Sequence, residues 1–83
     1  MKTEHYLAAY DRETDDFLSY IVTIPDTYLP RVKQIAHVDL TDPEAIGAYK
    51  LSSSRAHEIV RLLDKSVELT HGAVFFLEPA ARA

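Results

Sequence analysis

The chain has 83 residues, no cysteine and a formal net charge of −4. This length predicts a single domain over residues 1–83 with a thin hydrophobic core. The acidic balance argues against a nucleic-acid partner, because nucleic-acid binding needs a basic surface. The sequence has neither the long apolar run of a membrane-spanning helix nor the apolar core of a signal peptide. We therefore expect a cytoplasmic protein without a membrane partner.

The first part of the chain predicts a β-hairpin. Residues 5–10 and 17–24 are rich in residues that favour strands. The turn between them is almost entirely charged, with Asp11, Arg12, Glu13, Asp15 and Asp16. Alternation in the second strand groups four apolar residues, which we expect to face the core: Leu18, Tyr20, Val22 and Ile24.

A short helix, a loop and a short strand are predicted next. Pro25 ends the second strand, and Asp26 or Thr27 could cap a helix. The buried stripe of this helix would contain Leu29, Val32, Ile35 and Ala36. The acidic segment 37–48 contains proline and glycine, which predicts a loop, and a strand is expected over 48–51.

The last third predicts a second helix and a final strand. The helix has three candidate N-caps at 52–54, and its buried stripe would contain Ala56, Ile59, Val60, Leu63 and Val67. His71 and Gly72 predict a turn, and residues 73–78 predict a strand that is apolar on both sides. We expect the tail at 79–83 to fray. The order β-β-α-β-α-β predicts an α+β two-layer sandwich, with about four strands and both helices on one sheet face.

The polar residues do not form a familiar catalytic or metal-binding motif. The four histidines, His5, His37, His57 and His71, fall on separate predicted elements without paired ligand spacing. The serines at 52–54 follow no glycine-rich loop, and no base is placed for them. The acidic segments lack the glycine and the bidentate glutamate of a calcium loop. We therefore predict a protein that is not an enzyme and holds no cofactor or metal.

Acidic loops and abundant aromatic residues indicate a protein partner instead. The chain has five tyrosines and three phenylalanines, and a two-layer fold leaves one sheet face uncovered for some of them. Tyrosine suits interfaces because it buries area while keeping a polar tip. We predict that the partner-binding residues are Asp11, Glu13, Asp15, Asp16, Asp39, Asp42 and Glu44.

Five short segments, taken in order, resemble a family of small bacterial domains of unknown function. They are Tyr10-Asp11-Arg12-Glu13-Thr14, Ile24-Pro25, Asp42-Pro43, Tyr49-Lys50-Leu51 and Phe75-Phe76-Leu77-Glu78. The resemblance covers nearly the whole chain and implies no catalytic residue. Small acidic bacterial proteins of this type are similar to immunity proteins of interbacterial toxin systems. By this analogy, the partner is a bacterial toxin domain, of which a nuclease type with a basic cleft is one form.

Two other functions remain open. A ligand-binding domain could surround an anion with Ser53, Ser54, Arg55 and His57 at the start of the second helix. An oligomerisation module could form a homodimer through the final strand, which is apolar on both sides.

Overall fold

The computed structural model describes residues 2–64, 69 and 72–82, and in them four strands form one sheet. The elements are β1 (Lys2–Asp11), β2 (Phe17–Ile24), α1 (Leu29–Ala36), β3 (Tyr49–Leu51), α2 (Ser53–Leu62) and β4 (Ala73–Arg82). All neighbouring strands are antiparallel, and their spatial order is β2-β1-β4-β3. The predicted α+β class and element order are confirmed.

Both helices pack on one face of this sheet, which we call the covered face. Leu7 of β1 and Leu77 of β4 are cross-strand partners, and both are fully buried. They share one core cluster with Val32 of α1 and with Ile59 of α2. Burial of such side chains supplies most of the free energy of folding in a small domain. The opposite side of the sheet, on which neither described helix packs, is called the open face.

The edge strand β2 does not follow simple alternation. Val22 pairs with Leu7, but the next pair is Tyr20 with Ala8, so one residue of β2 is extra. A second register shift lies nearer the turn. Each β-bulge moves the side chains beyond it to the other sheet face. The prediction that Leu18 and Tyr20 face the core was therefore wrong, because they are 46% and 47% exposed.

The end of the chain is a strand, so the prediction of a frayed tail was wrong for residues 79–82. Pro79 lies opposite His5, and Arg82 lies opposite Lys2. Strand β1 consequently begins at Lys2 rather than at residue 5. Pro79 lies beyond residues 75–77, the part of β4 that pairs with β3 in the described chain, so on that side it interrupts no ladder. Residue 83 lies outside the described residues.

Helix α1 begins one residue later than a Thr27 cap would place it and two residues later than an Asp26 cap would. Its N-cap is Tyr28, not Asp26 or Thr27, and the Tyr28 side chain makes no cap hydrogen bond among the described residues. Pro30 lies in the first turn, where its missing N–H group costs little. Strand β3 begins at Tyr49 rather than at residue 48.

Helix α2 begins as the sequence predicts. The Ser52 hydroxyl accepts a hydrogen bond from the Arg55 backbone N–H at 3.3 Å, so Ser52 is the cap among the three candidates. The helix ends at Leu62. Val67 and His71, which we expected in the buried stripe and in the following turn, lie outside the described residues.

Candidate protein interface

Five aromatic side chains meet on the open face, and we call them the aromatic cluster. Tyr6 stacks on Tyr20 with ring centroids 4.4 Å apart. Tyr20 contacts Phe17 at 4.9 Å, and Phe17 contacts Tyr10 at 5.5 Å. Tyr10 then contacts Phe76 of β4 at 5.4 Å. Pairs in these stacked and edge-on geometries are favourable, so the rings support one another in a fixed arrangement across three strands.

The aromatic cluster lies on a buried part of the sheet, and two of its rings are accessible to solvent. Ala8 lies beneath it and is fully buried, although neither described helix packs on this side. At the edge of the sheet, Phe17 and Tyr20 are 49% and 47% exposed. Adjacent exposed apolar side chains of this kind mark interaction sites on small proteins.

Two carboxylates lie among these rings and fix the tyrosine hydroxyls. The Tyr10 hydroxyl donates to Glu78, with distances of 2.9 Å to Oε1 and 2.7 Å to Oε2. This hydrogen bond is the main reason that the pKa of Tyr10 is raised to about 12. The Tyr6 hydroxyl donates to the Glu4 carboxylate at 2.9 Å. The open face therefore carries negative charge as well as apolar area.

The charged turn between β1 and β2 adjoins this cluster through Phe17. The Asp11 carboxylate accepts the backbone N–H groups of Glu13 and Thr14 at 2.8 and 3.0 Å. These bonds hold the pKa of Asp11 below its usual value, so Asp11 shapes the turn. The side chains of Glu13, Asp15 and Asp16 are exposed at its tip.

In the 37–48 loop, Asp42 organises the backbone. Its carboxylate accepts the backbone N–H groups of Ile46 and Gly47, both at 2.9 Å. It also accepts the Tyr49 hydroxyl at 2.6 Å. These three bonds lower the pKa of Asp42, with the Tyr49 bond contributing most. A Cβ atom at Gly47 would lie 3.3 Å from the Asp42 carboxylate, so glycine permits this close approach.

The same loop is tied to β1 by a buried histidine. The His5 Nε2 atom lies 3.1 Å from the carbonyl oxygens of both Glu44 and Ala45, so it must donate to them. Asp39 accepts the backbone N–H and the hydroxyl of Thr41 at 2.9 and 2.8 Å. Of the three acidic residues predicted here, only Glu44 has an exposed carboxylate without a role in the loop among the described residues.

The two predicted acidic clusters lie at opposite ends of β1. His5 contacts the 37–48 loop, and Asp11 begins the turn. Six residues of extended strand separate these positions by roughly 20 Å. The turn residues lie beside the aromatic cluster, whereas the loop residues do not form one patch with them.

Replacing Asp42 by asparagine is expected to lower the melting temperature at neutral pH. The melting temperature of the variant should also decrease less than that of the wild type as the pH falls. The folded-state pKa of Asp42 lies below the ordinary aspartate value of 3.8. The Asp42 carboxylate therefore stabilises the folded protein above about pH 3.8, and this stabilisation is lost as the pH falls through the folded-state pKa. Thermal unfolding between about pH 7 and pH 2 measures this. Glu44→Gln is the control. Parallel pH curves for Asp42→Asn and the wild type would contradict the assignment.

Of the four residues of the alternative anion site, the structure places two in the lining of one cavity. Ser53 and His57 line a cavity of about 630 Å³ between the turn, α2 and the start of β4. The Arg55 guanidinium instead donates to the His37 Nδ1 atom at 3.1 Å. Within residues 2–64, 69 and 72–82, no three side chains converge as metal ligands. In those same ranges, no helix has the length and apolar character needed to cross a membrane.

The sequence contained part of the signal for the aromatic cluster. Alternation in β1 puts Tyr6 and Tyr10 on one side, opposite Leu7. Alternation in β2 also leaves Phe17 outside the set expected to face the core, but the irregular register of β2 hid the fact that Tyr20 joins them. No local pattern indicates that Phe76 lies beside Tyr10, because that contact depends on the pairing of β4 with β1.

Comparison with known proteins identifies the family. No curated protein and no solved structure matches the chain. A family model described as Domain of unknown function (DUF7683) matches residues 4–78, from within β1 to within β4. The matched segment includes every member of the aromatic cluster. The chain therefore belongs to the family described as Domain of unknown function (DUF7683).

Proposed function

We propose that this protein is a non-catalytic binding protein that covers a site on another protein with its open face. One observation carries the proposal: the five rings of the aromatic cluster are in continuous contact, and Phe17 and Tyr20 remain half exposed. Large aromatic side chains that are already ordered lose little entropy on binding, which makes them effective anchors. The covered face is occupied by α1 and α2, so the open face is the side left for a partner.

Charge favours a basic partner over a second copy of this chain. The net charge is −4, and Asp15 and Asp16 lie directly before Phe17 in the sequence. Glu78 adds a carboxylate within the open face. Two chains of this net charge would repel each other, whereas a basic partner would be attracted and oriented during encounter.

The specific role that we propose is that of an immunity protein, which binds and neutralises a cognate bacterial toxin. A nuclease-type toxin would hold nucleic acid with lysine and arginine side chains that contact phosphates. Carboxylates beside aromatic anchors have the chemistry needed to fill such a cleft and exclude the substrate. Physical occlusion of this kind requires no catalytic group in the inhibitor.

Co-purification of partners with tagged forms of the protein, expressed in the native host, tests this proposal. The wild type is compared with Phe17→Ser/Tyr20→Ser on the open face and with Arg31→Ala/Glu58→Ala on the exposed helical side. We expect one stoichiometric partner with the wild type and with the helical control, but not with the open-face variant. Expression of that partner should arrest growth unless the wild type is co-expressed.

The outcomes separate the parts of the proposal. A partner that is retained equally by the open-face variant would contradict the choice of surface. A harmless partner that needs the open face would remove the toxin role and leave the binding role. A pure homodimer that buries the open face would replace both with the oligomerisation alternative.

Removing the charges of the turn is expected to slow association with the partner. Asp15 has φ of 61°, a left-handed conformation that asparagine tolerates, so Asp15→Asn/Asp16→Asn should leave the turn intact. The association rate should fall about threefold or more at low salt, with weaker salt dependence and little change in dissociation. Stopped-flow kinetics measures both rates. Asp64→Asn, also at positive φ (54°), is the control. Association as fast as the wild type would contradict electrostatic steering.

A further inference from the structure

A cleft of about 350 Å³ lies at one end of the aromatic cluster on the open face. Tyr10, Phe76 and Glu78 line it, together with Val74 and Asp15 and with two cations of the chain itself, Arg12 and Lys50. The rings of Tyr10 and Phe76 are nearly perpendicular, with an interplanar angle of 79°. A group that enters the cleft therefore meets an aromatic surface and a carboxylate at the same place.

The Glu78 carboxylate keeps capacity to accept further hydrogen bonds. The single hydroxyl hydrogen of Tyr10 is shared between its two oxygens. An ionised carboxylate offers about four acceptor sites, so this one donor does not saturate it. Donation to an anion also makes the Tyr10 ring more electron-rich, which strengthens its attraction for a cation.

Among protein side chains, the arginine guanidinium fits these two features best. It is planar and permanently charged, it stacks on aromatic rings, and its parallel N–H groups match the two oxygens of a carboxylate. A lysine ammonium is a compact point charge without this planar match.

We propose that this cleft receives an arginine side chain of the protein partner, with the guanidinium against an aromatic ring and hydrogen-bonded to Glu78. The inference deepens the proposed function and rests on it for the source of the arginine. Lys50 lies opposite Phe76 in the β3–β4 pair, and both Lys50 and Arg12 line the cleft, so an entering arginine must bind beside two cations of the chain itself.

Nuclear magnetic resonance titration with Nα-acetylarginine amide tests the cleft without the partner. At low salt, we expect saturable shifts of the Tyr10 and Phe76 ring signals and of the Glu78 carboxyl signal. The uncharged isostere Nα-acetylcitrulline amide should produce none of them. Glu78→Gln should weaken arginine binding about tenfold, because it removes a charge-assisted hydrogen bond. Lys50→Gln should strengthen binding about twofold to threefold by removing one of the two cations that line the cleft.

The control is Glu58→Gln on the exposed side of α2, which should bind as the wild type does. Absence of saturable shifts, equal shifts with the citrulline compound, or unchanged affinity in Glu78→Gln would each overturn the arginine site. If a partner still depends on Phe17 and Tyr20, that failure leaves the proposed function intact. Conversely, if the cleft binds arginine but the partner binds the Phe17→Ser/Tyr20→Ser variant as it binds the wild type, the proposed function alone would be contradicted.

Discussion

Replacing Phe17 and Tyr20 together by alanine is expected to weaken binding of the partner more than about 100-fold while the protein stays folded. Both side chains are about half exposed, at 49% and 47%, so truncation leaves little cavity in the free protein. In the complex, the same truncation would remove two anchors and the edge-on contact between them. Calorimetric titration with the partner and thermal unfolding of the variant measure the two effects separately.

The matched control removes similar apolar surface elsewhere. Leu40 and Ile46 are 96% and 65% exposed in the 37–48 loop. Leu40→Ala/Ile46→Ala should bind the partner within about threefold of the wild type, as expected for positions outside an interface. A large loss in this control, with normal binding by the Phe17/Tyr20 variant, would move the interface to the second acidic loop.

Replacing Leu77 by alanine is expected to lower the free energy of unfolding by about 3 kcal/mol. Leu77 is fully buried and pairs with Leu7 on one side and Tyr49 on the other. Loss of its side chain leaves a cavity in the core that the helices cannot easily fill. A domain of this size has a total stability of roughly 4–12 kcal/mol, so the variant would approach the unfolding threshold. Urea denaturation provides the measurement.

Val74 supplies the comparison on the open face of the same strand. It is half-buried opposite Tyr10, so Val74→Ala should cost about 1 kcal/mol or less. Equal losses at Leu77 and Val74 would mean that both sheet faces are packed alike. That result would contradict the division into a covered and an open face.

The sequence predicts the parts of the fold that depend on local patterns. Helical spacing identifies the buried Val32 of α1 and Ile59 of α2, and the serine run supplies the Ser52 cap. The bulges in β2 depend on its pairing with β1, which no pattern within β2 reveals. The strand through Pro79 likewise depends on the pairing of β4 with β1, which no pattern within residues 79–82 reveals.

For the candidate site, the sequence shows which residues are charged but not which carboxylates accept hydrogen bonds from the backbone of their loops. Asp11, Asp39 and Asp42 look the same in sequence as Asp15 and Asp16. The structure separates them, because the carboxylates of the first three accept backbone hydrogen bonds in their loops, whereas those of the other two accept none among the described residues. Their role in partner binding stays a prediction.

Cross-saturation from the bound partner tests most directly whether the open face is the interface. In this measurement, saturation of the unlabelled partner spreads only to labelled residues in contact with it. The account predicts attenuation of the signals of Phe17, Tyr20 and Phe76, with those of Arg31 and Glu58 on the helices unchanged. Attenuation confined to α1, α2 or the 37–48 loop, with the aromatic cluster unaffected, would contradict it.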